Sequence, residues 1–197
     1  IYFARIMRIP HLFASGFIVL CIALVTAPLC KTMDSAWMWL IPIGLADAVV
    51  IVMLDTILQK ITPDIGFMSE EEDGELSAKR WILDPIDGTT NLVYDYNMSS
   101  VSLGYYNGEK VEFGVIYNPF NKDLFVAKAG EGAFLNGKKL SKAPDRELRD
   151  CIIEFGAGST KKQYTEESFS IAKEVFRNCL DIRRICSSAL AIAYVAA

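Results

Sequence analysis

The 197-residue sequence has a single histidine, His11, and its five cysteines (Cys21, Cys30, Cys151, Cys179, Cys186) form no Cys-x-x-Cys pair. The Cys/His spacings of a zinc site are therefore absent. An odd number of unpaired thiols reads as the reduced, partly buried cysteines of a cytosolic protein. An excess of positive charge is missing too: 20 Lys and Arg stand against 24 Asp and Glu, a formal net charge of -4, with the two signs interspersed. Without a basic stripe there is nothing to gather nucleic-acid phosphates, and the chain is expected to bind no nucleic acid. Internal repeats are also lacking.

Charge itself is missing from one stretch. Leu12 to Cys30 and Ser35 to Ala46 contain no charged residue, whereas everything after Gln59 reads as an ordinary α/β protein. With Arg5 and Arg8 ahead of it, the run from 12 to 30 meets the length of a membrane span, about 20 residues. A signal peptide fits less well, because Pro28 follows the small-residue stretch Val25-Thr26-Ala27. A pair of buried helices is the third reading, and Pro28 and Pro42 weigh against a two-span hairpin. The expected location is cytoplasmic, with membrane association through residues 12–30 as the alternative. Ile1 opens the sequence, and Ala196-Ala197 continue an apolar helical pattern without a stop signal, so the sequence is expected to be a piece of a longer protein.

From Ala46 to Ile61 the pattern predicts a helix with Asp47 in its first turns, where the helix dipole favours a carboxylate, and Pro63-Asp64-Ile65-Gly66 as its stop. The acidic loop Ser69-Glu70-Glu71-Glu72-Asp73-Gly74 precedes a strand at Trp81-Ile82-Leu83. Met98 to Tyr106, Lys110 to Tyr117 and Asp123 to Ala127 are strand-like, and Asn107-Gly108 between the first two is a strong hairpin signal. A short strand within Gly130 to Gly137 extends this into an antiparallel meander. Cys151 to Phe155 as strand, Thr165 to Asn178 as amphipathic helix, Asp181 to Arg184 as strand and Ser187 to Ala197 as helix then begin a β-α-β-α layer.

The chemistry is concentrated in Trp81-Ile82-Leu83-Asp84-Pro85-Ile86-Asp87-Gly88-Thr89-Thr90-Asn91. A buried strand delivers Asp84 to its end, Pro85 stiffens the exit, and a tight turn would aim Asp87 at the same point. Two hard anionic ligands so placed suit Mg²⁺. Gly88, Thr89 and Thr90 stand at the entrance to a short helix, where backbone N–H groups and hydroxyls hold phosphate. On spacing alone, a plain polar Asx-type turn fits equally well.

The whole string resembles the aspartate motif of the inositol monophosphatase family, W-x-x-D-P-I-D-G-T-T-N-F, with Leu92 in place of Phe. The resemblance covers roughly residues 46–197. Phe67-Met68-Ser69-Glu70-Glu71 is similar to the family's G-E-E loop, and Ala46-Asp47 to its T-x-A-D segment. Phe113 to Pro119 and Gly130 to Gly137 resemble its central sheet. Arg183-Arg184-Ile185-Cys186-Ser187-Ser188-Ala189-Leu190 resembles its R-R-x-G-S-A-A-L element, with Cys186 where glycine is usual.

The resemblance implies a layered α-β-α-β-α sandwich of α+β, α/β type whose second α/β layer is incomplete. Three regions are expected: an apolar segment at 1–45, a metal-binding α+β domain at 46–145 and the start of a second α/β domain at 146–197. It also implies Mg²⁺-dependent hydrolysis of a small phosphate monoester, inositol monophosphate foremost, with two or three ions in the complete family site. Glu70, Asp84, Ile86 (through its carbonyl) and Asp87 would be metal ligands. Glu70 and Thr89 would orient and deprotonate the attacking water, Asp47 would hold a third metal or its water, and Gly88, Thr89 and Thr90 would bind the phosphate. The family's W-D-x-A-A-G segment, which completes the second metal site, has no counterpart among these residues and would lie beyond Ala197. A bisphosphate nucleotidase, a fructose-1,6-bisphosphatase, or a non-catalytic metal-binding or membrane-tethered protein are the competing expectations, and a homodimer is left open. Glu71, Glu72 and Asp73 are expected to be solvated surface, as are Glu131 and Glu154.

Overall fold

The computed structural model describes residues 37–69, 78–157 and 162–197, with side chains from Asp47 onward. The expected span at 12–30 and the acidic loop from Glu70 to Asp73 lie outside the described residues.

Among the described residues the elements are, in chain order, helix α1 (Trp37–Ile61), strands β1 (Gly66–Ser69) and β2 (Arg80–Asp87), helix α2 (Thr89–Val93) and strands β3 (Ser100–Tyr106), β4 (Val111–Asn118), β5 (Asp123–Lys128), β6 (Gly132–Leu135) and β7 (Lys138–Lys139). Strand β8 (Ile152–Glu154), helix α3 (Thr165–Asn178), strand β9 (Asp181–Arg183) and helix α4 (Ser188–Ala196) follow. Strands β1 to β7 form a seven-stranded sheet in chain order, with β6 and β7 antiparallel, while β8 and β9 form a separate parallel pair. Strand β1 pairs in parallel with β2 from Gly66 opposite Arg80 to Ser69 opposite Leu83. The chain divides into two compact units, residues 1–86, 101–115 and 127–131 in one and 87–100, 116–126 and 132–197 in the other.

In the first unit Trp81 is the organising side chain. It is buried, its ring lies 5.1 Å from Tyr105 and 6.4 Å from Phe113, and its Nε1–H donates to Thr62 Oγ1 at 3.0 Å. Thr62 in turn donates to the Leu58 carbonyl at 2.8 Å, so the indole and the end of α1 are satisfied together. The Asn107-Gly108 hairpin forms as expected. Asn107 Oδ1 accepts the N–H groups of Glu109 (2.8 Å) and Lys110 (2.9 Å), and Gly108 takes φ 100°.

Two boundaries differ from the sequence expectation. Helix α1 begins at Trp37 rather than near Ala46, because an unbroken apolar stretch shows no 3.6-residue alternation from which a start can be read. Asp47 consequently lies inside the helix and not in its first turns, which removes the dipole reading of its carboxylate. Strand β2 also continues through Pro85 to Asp87 instead of turning after Leu83. Proline is tolerated there because pairing with β1 already ends at Leu83.

The second unit holds the β8-α3-β9-α4 sequence, close to its predicted limits. Phe155 packs edge-on against Phe169 of α3 (5.6 Å), and Phe125 against Tyr194 of α4 (5.3 Å). Leu190 and Ala193 are the buried residues of α4 within its span. No described helix is long and apolar enough to cross a membrane.

Candidate metal and phosphate site

The alternation of strand β2 buries Trp81 and Leu83 and leaves Asp84 half-buried beside them. Asp84 Oδ1 accepts the N–H of Ile86 at 3.1 Å, an Asx-type closure that bridges Pro85 and fixes the direction of the carboxylate. Ile86 is buried, at 8% exposure. Asp47, half-buried on α1, belongs to the same unit as these two. Glu70, the expected metal ligand and base, lies outside the described residues.

Asp87 ends β2 and belongs to the second unit, where its carboxylate caps helix α4. Oδ2 accepts the Ser187 hydroxyl and the Ala189 N–H (2.8 Å), and Oδ1 accepts the Ser188 N–H (3.1 Å). Ser187, the N-cap of α4, accepts the Leu190 N–H at 3.4 Å. These bonds satisfy the otherwise unpaired amides of the helix's first turn, with a negative charge where the dipole favours it.

Gly88 follows in the left-handed region at φ 85°, ψ 41°, as N-cap of α2. A Cβ there would stand 3.0 Å from the Met98 carbonyl and 3.1 Å from Ser187 Cβ, so any other residue is both crowded and strained. Thr89 and Thr90 are the exposed first residues of α2. The predicted helix entrance therefore exists, with its two hydroxyl residues accessible.

The last residue of the motif, Asn91, was given no role by the sequence. It is buried, at 6% exposure, and its Nδ2 donates to both the Met98 carbonyl (2.8 Å) and the Ile185 carbonyl (2.7 Å). A polar residue closing the aspartate motif was the available signal. Glu154, expected at a solvent-facing position, is instead half-buried and accepts the Ile185 N–H at 2.7 Å, because the chain turns back over β8 there. Glu131 is exposed and ion-paired with Lys128.

The donor set fits Mg²⁺ by its chemistry: carboxylates of Asp84 and Asp87 and the Ile86 carbonyl are all hard oxygens, and Mg²⁺ takes one or two carboxylates while keeping several waters. Among the described residues no group of three or more His, Cys, Asp or Glu side chains is gathered for a metal. An ionised carboxylate offers about four lone-pair sites. The N–H and O–H donors on Asp87 leave room for a cation on Oδ1, since Oδ2 already takes two of them.

The profile of the inositol monophosphatase family matches residues 42–197. The chain is 37% identical over 150 residues to the Nus factor SuhB of Escherichia coli (strain K12), which covers 74% of this chain and 55% of that protein. Among solved structures it is similar to extragenic suppressor protein suhB from Bartonella henselae, with TM-score 0.69, 37% identity, and coverage of 77% of this chain and 60% of that one. An IMPase/NADP phosphatase complexed with Mg²⁺ and phosphate matches with TM-score 0.65, 28% identity, and coverage of 76% and 56%. The fold is thus the α+β fold of phosphomonoesterases of this type. The chain belongs to the inositol monophosphatase family, and it spans a little over half the length of the SuhB protein it matches.

Proposed function

We propose that this chain carries the metal- and phosphate-binding core of a Mg²⁺-dependent phosphomonoesterase whose substrate is a small phosphate monoester, inositol monophosphate first. The observation that carries the reading is the continuous run from Asp84 to Thr90, in which a strand carries one carboxylate within it and one at its end and passes through a left-handed glycine into an accessible helix start.

Asp84, the Ile86 carbonyl and Asp87 would hold the metal together with Glu70. Mg²⁺, when bound, makes a water more acidic and neutralises phosphate charge. The chain's own residues do the rest. Ile86 N–H holds the Asp84 carboxylate in place, and the first turn of α4 holds Asp87. Gly88 lets the backbone turn sharply enough that the start of α2 meets the phosphate with N–H groups, and the hydroxyls of Thr89 and Thr90 add donors. Thr89 and Glu70 would take the proton of the attacking water. Asp47 supplies a further carboxylate on α1.

The likeness to an IMPase/NADP phosphatase supports a second reading, a nucleotide carrying a phosphate monoester, on the same residues. The test is release of inorganic phosphate from inositol 1-phosphate, a 3'(2'),5'-bisphosphate nucleotide and fructose 1,6-bisphosphate, each with Mg²⁺ and with excess chelator. Chelator-sensitive release, greatest from inositol 1-phosphate, is expected. Release that persists in chelator overturns the reading, and metal binding without release from any of the three points to a non-catalytic protein.

A further inference from the structure

We infer that Asn91 is a positioning residue for Asp87 and Gly88: its side-chain amide ties together the three segments that fix the end of the aspartate motif. This rests on the proposed function, because it assigns Asn91 to the geometry of that same site.

The three segments are 87–91, 98–100 and 185–189, all within one compact unit. Asn91 Nδ2 uses both of its hydrogens, one on the Met98 carbonyl and one on the Ile185 carbonyl. One residue beyond Met98, Ser99 Oγ donates to the Gly88 carbonyl at 2.8 Å. Two residues beyond Ile185, Ser187 donates to Asp87, and the next two amides do likewise. The loop closes through Ser187 Oγ and Ser100 Oγ, 3.5 Å apart and both buried. Every described hydrogen bond to the Asp87 carboxylate, and the side-chain bond to the Gly88 carbonyl, which also accepts the Leu92 N–H at 3.1 Å, thus comes from a segment that Asn91 anchors just upstream.

The side chain must be a primary amide. Two carbonyl oxygens converge on one nitrogen, so an acceptor at that position faces repulsion instead of two bonds, in a buried place where unpaired polar groups cost most. Asparagine is also short enough to reach both carbonyls while its own backbone carbonyl accepts Tyr96 N–H at 2.8 Å. Outer residues that orient metal ligands typically change metal affinity by about 10- to 100-fold when replaced.

The test is Mn²⁺ titration of the full chain, reading free Mn²⁺ by electron paramagnetic resonance, beside thermal melting. Asn91→Asp and the milder Ser99→Ala, which removes only the bond to the Gly88 carbonyl, are compared with Tyr194→Phe, a change at the far end of α4. Asn91→Asp is expected to raise the dissociation constant for Mn²⁺ about tenfold or more, Ser99→Ala to raise it less, and Tyr194→Phe to leave it unchanged even where its melting temperature falls. If Asn91→Asp does not fold, Ser99→Ala alone decides. A wild type that binds Mn²⁺ while the Asn91 and Ser99 variants bind as it does, or weaken no more than Tyr194→Phe, overturns this inference alone. A wild type that binds no Mn²⁺ overturns the proposed function and this inference with it.

Discussion

Asp87 and Ala189 are joined across the chain by a hydrogen bond of 2.8 Å from the Ala189 N–H to Asp87 Oδ2. A residue that the family resemblance marks as a metal ligand is therefore also the cap of helix α4, and its substitution has two separable consequences. Asp87→Asn keeps the shape but sets an NH₂ group against N–H donors and removes the charge at the helix start. A stability loss of about 1 kcal/mol is expected, alongside loss of the proposed phosphate-releasing activity. Equal effects on turnover from Asp87→Asn and from the exposed control Glu109→Gln would contradict this.

Gly88→Ala tests the turn itself. The new methyl would sit 3.0 Å from the Met98 carbonyl at a residue with φ 85°. A destabilisation of roughly 1–3 kcal/mol is expected, measured by denaturant unfolding. An unchanged midpoint would show that the turn is not so constrained.

Cys186→Gly should act in the opposite direction. Cys186 is exposed and sits at φ 63°, a left-handed conformation in which a side chain costs energy and the usual glycine does not. Relief of strain should outweigh the greater chain entropy of glycine in the unfolded state, giving a net gain of about 0.5–1 kcal/mol. A lower melting temperature for the glycine variant would refute the strain assignment.

These substitutions mark where the sequence was legible. The hairpin at Asn107-Gly108 and the helix Thr165 to Asn178 were readable because turn chemistry and a 3.6-residue period are local. The start of the site helix at Thr89 was readable from Gly88. The cap that Asp87 places on Ser187 to Ala189 and the Ile185 carbonyl on Asn91 were not, because they join residues far apart in sequence that only the fold brings together. Strand β2 was read too short, since Pro85 signals an end by propensity while its place beyond the β1 ladder lets the strand go on.

Tyr194 carries a pH dependence. Burial raises the ionisation of its hydroxyl above the ordinary 10.0; the hydrogen bond it donates to Asp123 raises it further, and the one from Asn121 opposes this. The folded value exceeds the unfolded one, so Tyr194 contributes stability that is fully present below about pH 10 and lost as pH rises through the folded value. The urea midpoint of the wild type should fall more steeply above pH 10 than that of Tyr194→Phe. Parallel curves for the two proteins would contradict the assignment.

The proposed function requires the Asp84 to Thr90 run to bind a divalent cation through its two aspartates. Calorimetric titration of the full chain with Mg²⁺ tests it most directly, comparing wild type, Asp84→Asn, Asp87→Asn and Glu109→Gln. A single binding event in the wild type and in Glu109→Gln, lost or strongly weakened in both asparagine variants, is the predicted result. No binding by the wild type, or undiminished binding after both aspartate substitutions, would contradict the claim.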